Sequence, residues 1–159
     1  LQFAEHYPFI VYKPVNHGPV ESSFHITRVD NREDLSASNA AAASAFGISS
    51  ESLDRAFGQV FIDGTGLDVF VARQDGKVVS TVQTSSTGSI IGIWGMATPP
   101  DQQRKGGGRA LLNYVIDYHC QRGAELFYLG ATPAGKPLYD SVGFQTETQA
   151  EIWVFLPNN

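Results

Sequence analysis

Residues 90–112 read IIGIWGMATPPDQQRKGGGRALL, and the fold turns on how this stretch changes period in its middle. Ile90 to Thr98 is an apolar run that reads as a strand, and Pro99 and Pro100 terminate it. From Gly106 the spacing becomes helical, with Leu111, Leu112, Val115 and Ile116 on one side, until Gly123 closes the segment. Three glycines therefore stand where a helix begins. The first amides of a helix have no partner within it, and the helix dipole adds partial positive charge, so an anion can dock there if no side chain obstructs it. Arg104, Lys105 and Arg109 are three of only eleven basic residues and fall in the same short stretch. A flexible turn with solvated basic side chains is the plain alternative. It leaves unexplained why Gly107 and Gly108 occupy a first helical turn, where each costs about 0.5–1 kcal/mol relative to alanine. The loop is read as a seat for a pyrophosphate.

Upstream of this stretch the chain alternates. Leu67–Arg73 (LDVFVAR) and Lys77–Gln83 (KVVSTVQ) are two strands joined through Asp75-Gly76, the strongest short-range hairpin signal in the chain. A turn over Ser85–Gly88 then leads into the strand at Ile90, giving a three-stranded meander. Earlier still, Phe9–Tyr12 (FIVY) and Phe24–Val29 (FHITRV) read as strands, with a loop through Asn16, Gly18 and Pro19 between them. Asp30 is placed as the cap of an alanine-rich helix from Asn31 to about Phe46, ended by Gly47. A second short helix starts behind Ser49 or Ser50 and stops at Gly58. Downstream, Leu126–Leu129 (LFYL) has the fully apolar character of a strand buried beside a crossover helix. A helix is expected from Pro133 to near Gly143, and a closing strand over Glu147–Leu156. The fold class implied is α/β, with a central mixed, mostly antiparallel sheet flanked by helices.

With 159 residues and 42% hydrophobic content the chain has the size and apolar content of one domain. Its formal charge of −5 offers no global basic field for nucleic acid or an anionic membrane. Cys120 is the single cysteine, which excludes an internal disulfide and a cysteine-built zinc site and fits a reducing compartment, so the cytoplasm is the expected location. No apolar run approaches the roughly 20 residues needed to span a bilayer. The chain begins at Leu1 rather than Met, which leaves room for an upstream segment.

Two motifs then carry a specific resemblance. Met96, Ala97 and Thr98, followed by Pro100, Gln103-x-x-Gly106-x-Gly108 and Arg109-Ala110-Leu111-Leu112, resemble the acetyl-CoA signature of the GCN5-related N-acetyltransferases. Downstream, Pro137-Leu138-Tyr139-Asp140-Ser141-Val142-Gly143-Phe144 is similar to that family's tyrosine followed by a Gly-Phe pair. The resemblance covers about residues 24–156. It divides the chain into an N-terminal extension or upstream remnant, 1–22, and an acetyltransferase domain, 23–159. It implies that the backbone of Met96, Ala97 and Thr98 pairs with the pantetheine arm of acetyl-CoA. The amides and side chains of Gln103, Arg104, Lys105, Gly106, Gly107, Gly108 and Arg109 would hold the pyrophosphate. The strands Ile90–Thr98 and Leu126–Gly130 would splay apart to admit the thioester. Tyr139 would stand beside the sulfur as general acid, with a phenol pKa near 10 suited to the task.

By the same resemblance the chain moves an acetyl group from acetyl-CoA to a primary amine of a small molecule or peptide. No metal, nucleic acid or membrane is called for, and a homodimer is a possible assembly. Relatives often carry a glutamate on the strand that precedes the loop, but Gly92, Ile93, Trp94 and Gly95 offer none. Glu51, Asp63 and Asp68 are candidate bases only by analogy of position. That gap keeps two alternatives open: a CoA-binding regulatory or sensor protein with weak or no catalysis, and an acyltransferase that uses a longer acyl-CoA.

Other constellations are weaker. Gly130–Lys136 (GATPAGK) has the spacing of a phosphate-binding P-loop until Pro137 replaces the magnesium-holding hydroxyl. His119 and Cys120 are adjacent on a helix and so point about 100° apart, which argues against a nucleophilic dyad and for Cys120 as core filling. His6, His17 and His25 lack metal-ligand spacing. Trp94 is read either as a wall of an acceptor pocket or as a core residue.

Overall fold

The computed structural model describes residues 2–15, 17–57 and 66–155. In chain order the elements are strands β1 (Gln2–Tyr12) and β2 (His25–Arg28), helices α1 (Arg32–Phe46) and α2 (Ser50–Phe57), and strands β3 (Leu67–Gln74), β4 (Lys77–Thr87) and β5 (Ile90–Ala97). Helix α3 (Gly107–Cys120), strand β6 (Leu126–Gly130), helix α4 (Lys136–Val142) and strand β7 (Gln145–Val154) follow. The strands form one sheet in the order β2-β3-β4-β5-β6-β1-β7. Every pairing is antiparallel except that of β5 with β6, which the α3 crossover makes parallel.

The meander forms where its turn chemistry requires. Asp75 (φ 51°) and Gly76 (φ 77°) both sit in the left-handed region, the combination that lets a two-residue hairpin follow the twist of its strands. The second turn is tighter than expected, because β4 continues to Thr87 and only Gly88 and Ser89 separate it from β5. On one face of the sheet the apolar stripe of α3 (Leu111, Leu112, Val115, Ile116) packs on Phe70, Val82, Ile91, Ile93, Phe127, Leu129 and Ile10. On the other, Leu35 of α1 meets Val29, Val69 and Val71, and Ser38 Oγ lies 2.5 Å from Thr81 Oγ1. The helix spacing read from the sequence thus falls on the buried side of α3.

Two element starts differ from expectation. Asn31, not Asp30, caps α1: its backbone is extended (φ −140°) and its side chain accepts a hydrogen bond from the Asp34 amide at 2.9 Å. Asp30 instead accepts from the Asn31 side-chain amide. Helix α4 begins at Lys136 rather than Pro133, because Thr132 Oγ1 and the Thr132 carbonyl both accept from the Gly135 amide and wind residues 132–135 into a turn first. Gly58 and Leu156, expected at the ends of α2 and the last strand, lie outside the described residues, as do Asn16 and Asp63.

Strand β1 is far longer than the four residues FIVY. It belongs to the 1–22 segment that the resemblance set apart, and it lies inside the sheet between β6 and β7. Phe9 faces Gly130 on one side and Thr148 on the other, and the Ala131 amide donates to the Pro8 carbonyl at 2.9 Å.

Candidate active site

The site begins where two parallel strands stop pairing. Strands β5 and β6 are in register at Ile90–Leu126, Ile91–Phe127 and Gly92–Tyr128 and no further among the described residues. From Ile93 to Ala97, β5 keeps β4 on one side, while β6 keeps β1 beside Leu129 and Gly130. The facing edges of the two strands therefore diverge and leave a fork. Gly95, at φ 56°, bends β5 within it, and the β4–β5 register shifts over the same span. An open strand edge presents backbone donors and acceptors that an extended, amide-bearing ligand can pair with.

The mouth of the fork meets the start of α3. Gly106 caps the helix at φ 90° without a side-chain hydrogen bond, and Ala110 closes the first turn by donating to the Gly106 carbonyl at 3.0 Å. The amides of Gly107, Gly108 and Arg109 precede that first closed turn and remain at the open end of the helix. Arg104 is also left-handed, at φ 59°, one of two non-glycine residues with positive φ among those described. Left-handed Arg104 and Gly106 thus lie within three positions, and residues in that conformation help build concave turns that gather backbone amides. Gln103, Arg104, Lys105, Gly106 and Arg109 are exposed, whereas Ala97 is buried and Met96 and Thr98 are half-buried.

The glycines answer to packing as much as to a ligand. A Cβ on Gly107 would lie 3.3 Å from Val79 Cγ2 and 3.6 Å from the Phe24 ring. One on Gly108 would lie 3.3 Å from Thr98 Oγ1, 3.7 Å from Leu138 Cδ2 and 3.9 Å from Met96 Cε. Packing therefore gives this pair a reason besides ligand binding, since Gly107 lets α3 seat against the sheet. Gly108 marks the point where the end of β5, the first turn of α3 and α4 converge.

Tyr139 comes from α4 and is 6% exposed, its ring edge-on to Phe144 with centroids 5.6 Å apart. The turn after α4 explains that pairing: Gly143 adopts φ 110° and the Phe144 amide returns to the Tyr139 carbonyl. Burial pushes the Tyr139 phenol up to about 12, and the nearby Tyr7 phenol adds to the effect.

Sequence reasoning singled out Trp94 but missed the aromatic row that it joins on the opposite face of the fork. The indole of Trp94 lies across Gly92, within 2.8 Å of where a Cβ would stand, and its Nε1 donates to Ser85 Oγ at 2.8 Å. It meets Tyr128 edge-on at 5.6 Å, and Tyr128 stacks on Phe9 at 5.5 Å. At 43% exposed, Trp94 is not a core residue. Tyr7 lies across Gly130 in the same manner. The available signal was a glycine inside each strand, a mark of close approach by another group.

The remaining candidates separate from the fork. Asp68 pairs with Arg28 at 2.9 Å on β3, two strands from β5. Glu51 is exposed in the first turn of α2. In the P-loop look-alike, Lys136 Nζ binds Asp140 at 2.7 Å and the amides of Gly135 and Lys136 are taken by Thr132, so the segment is a helix-initiating turn. His119 is buried with Nε2 3.1 Å from Thr84 Oγ1, and Cys120 packs beside the core. His6 and His25 are exposed and His17 is half-buried against Tyr12 and the Asn113 carbonyl. No group of three His, Cys, Asp or Glu among the described residues is placed to hold a metal. Nor is any described helix long and apolar enough to cross a membrane.

The family model for the "Acetyltransferase (GNAT) domain" matches residues 65–146. The [ribosomal protein bS18]-alanine N-acetyltransferase of Escherichia coli (strain K12) is 34% identical over 82 residues, which is 50% of this chain and 55% of that protein. A GCN5-related N-acetyltransferase from Kribbella flavida superposes with a TM-score of 0.72 at 17% identity, over 94% of this chain and 58% of that one. The crystal structure of a "predicted acetyltransferase with acetyl-CoA" from Clostridium acetobutylicum superposes with a TM-score of 0.62 at 19% identity, over 84% and 95%. The chain thus spans little more than half the length of the E. coli and Kribbella proteins.

Proposed function

Because this chain belongs to the GCN5-related N-acetyltransferase (GNAT) family, we propose that it transfers an acetyl group from acetyl-CoA to a primary amine of a small molecule or peptide. The observation that carries the reading is the fork itself. Beyond Gly92 the edge of β5 has no strand partner among the described residues, and it runs directly into the open amides of α3. A ligand with an extended amide arm at one end and a pyrophosphate at the other fits that pair of features. One structural relative supports it: the Clostridium acetyltransferase structure is described with acetyl-CoA.

In this proposal the backbone of Met96, Ala97 and Thr98 pairs with the pantetheine arm. The amides of Gly106, Gly107, Gly108 and Arg109 receive the pyrophosphate, and Gln103, Arg104, Lys105 and the Arg109 guanidinium stand around it. Bound acetyl-CoA supplies an activated acyl group whose C–S bond breaks as the C–N bond to the amine forms. Tyr139 gives its proton to the departing sulfur. Its burial keeps the phenol protonated at physiological pH, so the donor is always charged with its proton. A neutral amine is required for attack, and β5 offers no carboxylate to take its proton, so water or the bulk solvent accepts it.

The acceptor class follows the E. coli relative only as far as its name, which specifies an alanine of a ribosomal protein. Cytoplasmic location and a homodimer belong to the same proposal, and strand β1, which lies inside the sheet, joins residues 23–159 in the proposed domain. The lack of a carboxylate on β5 favours one second reading, a CoA-binding regulatory protein with slow or absent chemistry. Release of free thiol from acetyl-CoA, followed over a panel of amines and peptides, decides between them. Turnover on any amine supports the transferase, and tight CoA binding without turnover on all of them supports the regulator.

A further inference from the structure

Gly130, on the β6 side of the fork, is covered by a residue far outside the matched stretch 65–146. Tyr128 is the last residue of β6 in register with β5, and Gly130 lies two positions on, about 7 Å further along the strand. A Cβ at Gly130 would fall 2.2 Å from Tyr7 Cε1 and 2.6 Å from Cδ1, so the Tyr7 ring occupies the space a side chain there would need. Trp94 covers Gly92 in the same way on the other strand. Tyr7 shares the face of Phe9, two residues on, and Phe9 stacks on Tyr128, which Trp94 also touches. Two aromatic rings thus bracket the fork from one side of the sheet.

Strand β1 sets the position of Tyr7 by pairing on both sides. Tyr7 is in register with Ala150 of β7, and the neighbouring Pro8 carbonyl accepts from Ala131 just past β6. The Tyr7 phenol also adds to the upward shift of Tyr139, after that residue's own burial.

Resting on the acetyl-CoA reading above, we infer that the Tyr7 ring is the end wall of the acyl pocket and limits the acyl group to a short chain. The wall is the ring, not the hydroxyl. The N-terminal strand is then part of the site, and the alternative of a longer acyl-CoA is excluded by a single side chain. Replacing that ring with a smaller side chain opens space where the acyl chain would extend.

The test compares acetyl-, propionyl-, butyryl- and hexanoyl-CoA with the full chain, measuring affinity by calorimetry and thiol release on any accepted amine. Wild type should favour acetyl- over butyryl-CoA. In Tyr7→Ala the butyryl-to-acetyl ratio should rise about tenfold or more, as one methylene in a fitted pocket is worth a factor of about 10 to 200. Tyr7→Val, at home in a strand, should do the same should the alanine variant melt too low, and Tyr7→Phe should keep the wild-type ratio. An unchanged ratio in folded Tyr7→Val, or a wild type that takes hexanoyl- as well as acetyl-CoA, overturns the wall and leaves the acetyl-CoA reading intact. A wild type that binds none of the four overturns the acetyl-CoA reading, and the wall with it.

Discussion

Arg109 Nη2 donates to Ser141 Oγ at 2.8 Å, which ties the first turn of α3 to the helix that carries Tyr139. Ser141 Oγ donates in turn to the Leu138 carbonyl at 2.6 Å. The loop proposed for the pyrophosphate and the proposed acid are therefore linked by one exposed side-chain contact. If the guanidinium serves the phosphates, its charge matters more than this link. Arg109→Ala should weaken CoA binding about tenfold, the scale of one charge-assisted hydrogen bond, while Ser141→Ala should stay within about threefold of wild type. Equal losses in calorimetry would make the inter-helix contact the operative feature instead.

Tyr139→Phe keeps the ring against Phe144 and removes only the hydroxyl. Turnover should fall about a hundredfold or more with the affinity for acetyl-CoA within about twofold, since proton donation acts on the chemical step. With the phenol held at about 12, rising pH frees more amine without deprotonating Tyr139. The wild-type rate should climb to a plateau and show no fall up to pH 10. A decline beginning near pH 9 would assign the acid to another group.

Gly108→Val places a branched side chain among Thr98, Leu138 and Met96. CoA affinity should drop at least tenfold while the protein stays folded by circular dichroism. Wild-type affinity in this variant would mean that the start of α3 is not the phosphate seat.

His119 is buried, and that burial lowers its pKa below 6.5. The unfolded chain therefore binds a proton more readily than the fold does. The contribution of neutral His119 to stability is fully present above pH 6.5 and declines as pH falls through 6.5 toward the folded value. Urea midpoints at pH 7.5 and 5.5 should fall further apart in wild type than in His119→Gln, and identical pH dependence in the two would contradict the assignment.

Much of the fold was legible because local signals agreed with one another. Asp75-Gly76 could only be a hairpin, and the four apolar residues of α3 declared both the helix and its buried side. The end of α1 was legible too, as Gly47 takes φ 67°. Its start was not, because Asp30 and Asn31 are both good caps and only the extended backbone at Asn31 selects between them. The same competition between local hydrogen bonds hid the true start of α4 behind Thr132.

Strand β1 shows a different limit. Its first residues, Gln2 to His6, are exposed and mix polar, aromatic and small side chains in no clean alternation, and they pair only with β7, about 150 residues later. Nothing local announces such a pairing, so Tyr7 could not be brought near Tyr139 from sequence. The glycine-rich loop proposed for the pyrophosphate, by contrast, carries a recognisable motif, but the reason for its glycines was only half visible. Contact between Gly107 and Val79 is a property of the packed sheet, and Gly108 faces Thr98 only once α3 has docked.

The most direct test of the account is a calorimetric titration of the whole chain with coenzyme A, paired with a thermal melt at saturation. One binding event with a raised melting temperature is the predicted result, because a ligand that binds only the folded state must stabilise it. Absence of heat together with an unshifted melt at millimolar coenzyme A would contradict it, and the fork between β5 and β6 would then need a different occupant.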